Sequence, residues 1–304
     1  MDTEFYNKLN QALHGDAGKI DRVMRFRYLN EFVKPGQILF AGSSLMEQFP
    51  IQEFVADFDL PLTIYNRGVG GFTTSEMLAC MQDCVYALRP AYIFINIGTN
   101  DLNDPACTPD VLHNRYRTIL SGIREHLPQA KLFLLAYYPV NPDVADAGMK
   151  EVLKVRSNDC ICRANEMVKK LAAEVGAAYI DVGDDIKDEK GQLKAEYTVE
   201  GMHMYANGYK AVSSPGLASI RRHGGDGPHS GCSLQYPDPE WRSLRIPPYR
   251  KNRGATVRHS WQCRPGYKSQ CRLQLCGGSH GQDRRREHVN IVSYLCTLVE
   301  GSIL

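Results

Sequence analysis

Residues 92–127, YIFINIGTNDLNDPACTPDVLHNRYRTILSGIREHL, hold one complete strand–turn–helix unit, and its reading decides the fold. Tyr92–Ile97 is a short apolar run of Ile, Phe and Tyr, the make-up of a buried strand. Gly98-Thr99-Asn100-Asp101 ends it in a polar turn. Thr108-Pro109-Asp110 then places a capping hydroxyl, a proline at the first helical position and an acid beside the positive end of the helix dipole. Val111, Leu112, Tyr116, Ile119, Leu120, Ile123 and Leu127 follow at helical spacing, so the helix offers one apolar stripe to a core.

The same alternation extends to both sides. Further short apolar runs stand at Ile38–Ala41, Leu62–Tyr65, Leu132–Ala136 and Ala178–Val182. Thr73-Thr74-Ser75-Glu76 reads as a capping box opening a helix that must stop before Pro90. Another helix, over about 158–175, ends at Gly176, a C-terminal cap. Strands separated by helices become parallel neighbours, because each crossover must pass over a face of the sheet. The predicted class is α/β: a flavodoxin-like, doubly wound parallel sheet of five strands with helices on both faces, in three layers. In such sheets ligands bind at the carboxyl ends of the strands.

Composition divides the 304 residues unevenly. Residues 1–212 carry 22 Lys+Arg against 28 Asp+Glu, a net of −6, whereas the remainder carries 14 against 6, a net of +8. Twelve of those 14 basic residues are Arg, and the apolar residues there lack periodicity apart from a late run near Val289–Leu298. The expected organisation is a folded domain over 1–212 and an Arg-, Gly- and Pro-rich tail over 213–304. Ser213-Ser214-Pro215-Gly216 interrupts a helix begun at Tyr209, so the tail reads as a frame-shifted or fused stretch. Arg284-Arg285-Arg286 gives an alternative class of function, a basic nucleic-acid-binding tail on a non-catalytic scaffold. No apolar run approaches the 18 residues that span a bilayer, and the N-terminus has no apolar leader, so the expected location is cytoplasmic. Cys263, Cys271, Cys276 and His280 lack the paired Cys-x-x-Cys of zinc knuckles, Cys80 and Cys84 read as core fillers, and no metal or organic cofactor is expected.

Each of the first three strands runs into an unusual Gly-containing turn. These are Gly42-Ser43-Ser44, Asn66-Arg67-Gly68-Val69-Gly70-Gly71 and Gly98-Thr99-Asn100-Asp101. Glu200-Gly201-Met202-His203 follows the fifth strand by about twenty residues. Singly, each has a plain reading. A serine after a strand caps a helix, glycines supply positive φ, Asn and Asp bond to their own turn, and a lone histidine sits at the surface. Together they place a hydroxyl, an imidazole, an acid and two oxyanion donors at one edge of a sheet. Serine needs a base to take its proton, the base needs a partner to fix its tautomer, and the tetrahedral oxygen needs preset donors.

These blocks resemble those of the SGNH or GDSL hydrolases, from about Gly36 to Val212, in the branch of lysophospholipases, acetylhydrolases and carbohydrate esterases. The resemblance implies a serine esterase working through an acyl-enzyme, on small esters such as acetylated sugars or lysolipids. Gly-x-Ser places the nucleophile on Ser44 rather than Ser43, and Asp-x-x-His places the base on His203 with Glu200 as the acid. Gly71, Asn100 and the Ser44 N–H become the oxyanion donors. Ser43 stands where the family often has Asp, and Glu200 where it has Asp. With Glu200, the longer side chain needs a different rotamer, and a backbone carbonyl is the other partner that could orient the imidazole.

Overall fold

The computed structural model describes residues 2–58, 60–104, 106–213 and 291. Five strands, β1 (Ile38–Gly42), β2 (Ile64–Gly68), β3 (Tyr92–Asn96), β4 (Lys131–Leu135) and β5 (Ala178–Ile180), form one sheet in the order β2-β1-β3-β4-β5. Every pairing is parallel. The order reverses between β1 and β3, and the crevice outside their carboxyl ends is where such sheets hold ligands. Ten helices accompany the strands among the described residues: α1 (Thr3–Ala12), α2 (Ala17–Leu29), α3 (Ser44–Glu47), α4 (Ile51–Asp57), α5 (Thr74–Ala79), α6 (Met81–Cys84), α7 (Pro109–His126), α8 (Ala147–Val155), α9 (Asn158–Glu174) and α10 (Ala206–Ser213).

Alternation along the strands explains why helices lie on both faces. Leu39, Ala41, Ile93, Ile95, Leu132 and Leu134 join one core with Ile20 and Val23 of α2, Tyr116 and Ile119 of α7, and Val168 and Leu171 of α9. Ile38, Phe40, Phe94, Phe133 and Leu135 join the other with Met46 of α3, Ile51 of α4, and Tyr209 and Val212 of α10. Burial on both sides is why the inner strands β1, β3 and β4 read as apolar runs. Phe94 stacks between Phe40 and Phe133, with ring centroids 4.9 and 4.5 Å away. Emptying such a site would cost about 3–5 kcal/mol.

Local signals act where the sequence put them. Thr108 Oγ1 accepts from Val111 N at 3.3 Å, with Pro109 at the start of α7. Thr73 and Glu76 close a reciprocal capping box on α5. Gly176 takes φ +63° just past α9. The helix expected between Thr73 and Pro90 is instead broken into α5, α6 and a 3-10 turn at Tyr86–Leu88. Arg89 ends that turn with φ 44°, since a residue before proline is disfavoured in the right-handed region. Strand ends differ from expectation by one to three residues, the largest being β2, which starts at Ile64 and runs on to Gly68.

The helix begun at Tyr209 is α10, and it packs Tyr209 and Val212 on the sheet. The tail expected over 213–304, its frame-shifted or fused origin, the arginine run and the Cys263–His280 cluster lie outside the described residues, apart from Ser213 and Ile291. Ile291 belongs to the late apolar run and is fully buried in the second core. Among the described residues no helix is long and apolar enough to cross a membrane.

Candidate active site

The turn after β1 is as tight as a backbone permits. Gly42 has φ +146°, and a Cβ there would fall 2.0 Å from the Asn96 carbonyl oxygen of β3. Only glycine lets β1 end flush against its neighbour. Ser43 is extended, and its N–H donates to that same Asn96 oxygen at 3.2 Å. Ser44 then opens α3 half-buried, while Leu45 and Met46 are anchored in the second core. From α10, Tyr209 Oη donates to the Leu45 carbonyl at 3.0 Å, so the residue beside Ser44 is pinned from both sides.

Glu200 and His203 are held together by the loop that carries them. The His203 carbonyl accepts from Val199 N and from Thr198 Oγ1, each at 2.9 Å. Gly201 N donates to Thr198 Oγ1 at 2.8 Å, and Thr198 pairs with Met204 in an antiparallel bridge. This closed loop aims both side chains the same way. His203 Nε2 lies 2.8 Å from Ser44 Oγ, and Nδ1 lies 2.5 Å from Glu200 Oε1. The same Glu200 oxygen accepts the His203 backbone N–H at 3.2 Å. The two side chains are 22 and 25% exposed, so their charges are only partly screened. Glu200 therefore reaches the imidazole despite its extra methylene, and of the two partners open to the ring it is the carboxylate that takes Nδ1.

Two contacts tie the turns that carry the expected oxyanion donors to Ser44 and to each other. A Cβ at Gly70 would lie 4.0 Å from the Ser44 Cβ, so the second turn passes directly over the serine. Asn100 Nδ2 donates to the Phe72 carbonyl at 2.9 Å, which joins the third turn to the residue after Gly71. Its second N–H remains for another acceptor. Neither the Ser44 nor the Gly71 backbone N–H donates to another group among the described residues. Free donors beside a nucleophile suit an oxygen that becomes negative.

Other residues of these turns brace the site without entering it. Asn66 Nδ2 donates to the Met46 carbonyl at 2.6 Å and its Oδ1 accepts Gly68 N at 2.9 Å. Arg67 is buried and donates to Asn30 Oδ1 and the Asn66 carbonyl. A Cβ at Gly68 would fall 2.2 Å from Glu47 N, so α3 and the second turn touch backbone to backbone. Glu47 accepts Gly70 N at 2.6 Å and pairs with Arg22 of α2 at 3.1 Å. Asp101 reaches across to α5, accepting from Thr74 N at 2.8 Å and from Thr74 Oγ1. Burial pushes its carboxyl up from the usual range.

Two residues at the site were given no site role by the sequence. Tyr209 stands in a segment, Asn207-Gly208-Tyr209, that resembles the family and opens a helix but was given no site role, and Arg156 stands in no motif. Arg156 is buried at the end of α8, where its Nη2 donates to Asn100 Oδ1 at 2.9 Å and its Nε to Asn103 Oδ1 at 3.2 Å, and its Nη1 contacts the Met202 thioether.

A serine, a histidine and an acid joined in one hydrogen-bonded row, beside free N–H donors at the carboxyl edge of a parallel sheet, form the arrangement used by serine hydrolases. The comparisons agree with that class. The model of the GDSL-like Lipase/Acylhydrolase family matches residues 50–211, and the chain belongs to this family. It is a hydrolase acting on ester bonds. The match begins past Ser44, so that residue's place rests on its geometry. The chain is 24% identical over 239 residues to platelet-activating factor acetylhydrolase IB subunit alpha1 of Bos taurus, covering 75% of this chain and 94% of that one. It is 30% identical to a solved structure from Streptococcus pneumonia provisionally described as a platelet activating factor, with a TM-score of 0.58, covering 66% of this chain and 91% of that one. A GDSL-like lipase from Bacteroides thetaiotaomicron shares the fold at 19% identity and a TM-score of 0.53, covering 66% and 95% of the two chains.

Proposed function

We propose that the protein is a serine esterase that cleaves a small carboxylic ester through an acyl-enzyme intermediate. Ser44 Oγ attacks the ester carbonyl as His203 Nε2 takes its proton. Glu200 holds the Nδ1–H tautomer and stabilises the imidazolium that forms. The N–H groups of Ser44 and Gly71 and the Nδ2 of Asn100 receive the oxyanion. His203 returns the proton to the departing alcohol, then activates the water that frees the acid and restores Ser44. The 2.8 Å contact between His203 Nε2 and Ser44 Oγ is the observation that carries this reading, because it joins residues 159 positions apart in the geometry of proton transfer.

The proposed substrates are esters of short acyl groups, on an acetylated sugar or a single-chain lipid. The acetylhydrolase relatives favour acetyl as the acyl group. The test is turnover of p-nitrophenyl acetate by the purified full chain and its Ser44→Ala variant. Loss of turnover with an unchanged circular dichroism spectrum supports the reading. Equal slow turnover by both proteins refutes it.

A further inference from the structure

An asparagine amide is nearly symmetric in shape, and only its partners decide which end faces the pocket. Asn100 has one partner of each polarity. The Phe72 carbonyl accepts from Nδ2 at 2.9 Å, and Arg156 Nη2 donates to Oδ1 at 2.9 Å. A flipped amide would set carbonyl against carbonyl at Phe72 and NH2 against guanidinium at Arg156. The amide is thereby fixed in one orientation, with its remaining N–H unclaimed among the described residues.

Arg156 is itself unusual. It is 3% exposed, and among the described residues it forms no ion pair. The nearby Asp101 carboxylate is instead approached by Arg115 at 3.7 Å. Burial pulls the guanidinium down to about 10, which leaves it charged at neutral pH. Burying a cation without a carboxylate is costly, and neutral side chains could hold loops together more cheaply. The end of α8 offsets part of that cost, since the negative pole of a helix favours a cation. Its three contacts are Asn100, Asn103 and Met202, so one group joins the third turn to the residue before His203.

Resting on the esterase reading above, we infer that Arg156 is a positioning residue for the oxyanion site, orienting and polarising the Asn100 amide through Oδ1. A cation on the oxygen end draws electron density from the amide and makes the free N–H a stronger donor. The benefit is greatest when the acceptor carries a full negative charge, so it raises kcat and leaves KM almost unchanged.

The test is a double-mutant cycle on p-nitrophenyl acetate with Arg156→Met, Asn100→Ala and both together, alongside Ser44→Ala as control. Removing one oxyanion donor lowers kcat by about 100- to 1,000-fold, so Asn100→Ala should fall in that range. Arg156→Met, acting only through that donor, should lose about 10- to 100-fold in kcat with KM within about threefold. In the Asn100→Ala background the further loss should be below about threefold, because the group it serves is gone. Arg156→Lys keeps the charge and should recover part of the kcat, and it replaces Met in the cycle if Arg156→Met does not fold. Multiplicative losses, or a change confined to KM, would overturn the inference while leaving the esterase reading intact. Turnover that survives Ser44→Ala would overturn both.

Discussion

Replacing Glu200 by Gln keeps the size of the side chain and its ability to accept from Nδ1, but removes the charge. In the folded protein Glu200 Oε1 lies 2.5 Å from His203 Nδ1, with both side chains about three-quarters buried. The charge centres of such a pair are roughly 4 Å apart, and at the effective dielectric of a partly screened site their attraction is about 4 kcal/mol. That attraction exists only once the imidazole has taken the serine proton, so it lowers the barrier without tightening the ground state. At 1.36 kcal/mol per decade, Glu200→Gln should lower kcat by about three decades. KM should barely move. Glu200→Asp, one methylene shorter, should keep the charge but lose contact and fall between the two. Steady-state kinetics on p-nitrophenyl acetate give the answer, with circular dichroism to confirm folding. A Glu200→Gln enzyme within about threefold of the native kcat would refute the argument, because some other group would then be orienting and charging the imidazole.

Two further outcomes follow from the packing around the site. Tyr209→Phe leaves the buried Leu45 carbonyl without its donor, at a cost of about 1–3 kcal/mol. Differential scanning fluorimetry should show a lower Tm, and an unchanged Tm would mean that this bond does not brace α3. Burial pushes the Cys80 thiol up to about 12 and the Cys84 thiol well above its ordinary value, whereas Cys162 is exposed. Only the thiolate reacts, so among the described cysteines iodoacetamide at pH 8 should modify Cys162 first and reach Cys80 and Cys84 only in denaturant. Peptide mapping of the labelled chain checks the order, and early labelling of Cys84 would contradict the described core.

Much of the fold was legible because local and global preferences coincide. The run Tyr92–Ile97, its polar turn and the Thr108-Pro109 cap state strand, turn and helix within 36 residues, and the coordinates follow them closely. The helix before Pro90 was legible at its start, the Thr73–Glu76 capping box, and in having to end before the proline, but not in its interior. Its break at Cys80 answers to packing of Cys80, Met81 and Cys84 into the first core, which no cap announces. The candidate residues Ser44, Gly71, Asn100, Glu200 and His203 could be named because serine chemistry needs those residue types, three of them in turns after strands, and because their blocks resemble the family's. The roles of their supports could not. Asp101 looked like a residue bonded within its own turn, yet it spans to Thr74. Arg156 acts across 56 positions on Asn100, and long-range pairs between ordinary polar residues leave no period, spacing or motif in a single sequence.

The account stands on Ser44 being the one hydroxyl that His203 activates. A fluorophosphonate probe tests this directly, since it forms a stable adduct only with a serine whose proton a base has taken. Intact-mass measurement of the native chain should show a single adduct, tryptic mapping should place it on the peptide containing Ser44, and His203→Ala should abolish it. No adduct, or one that maps to another serine and persists in His203→Ala, would contradict the account.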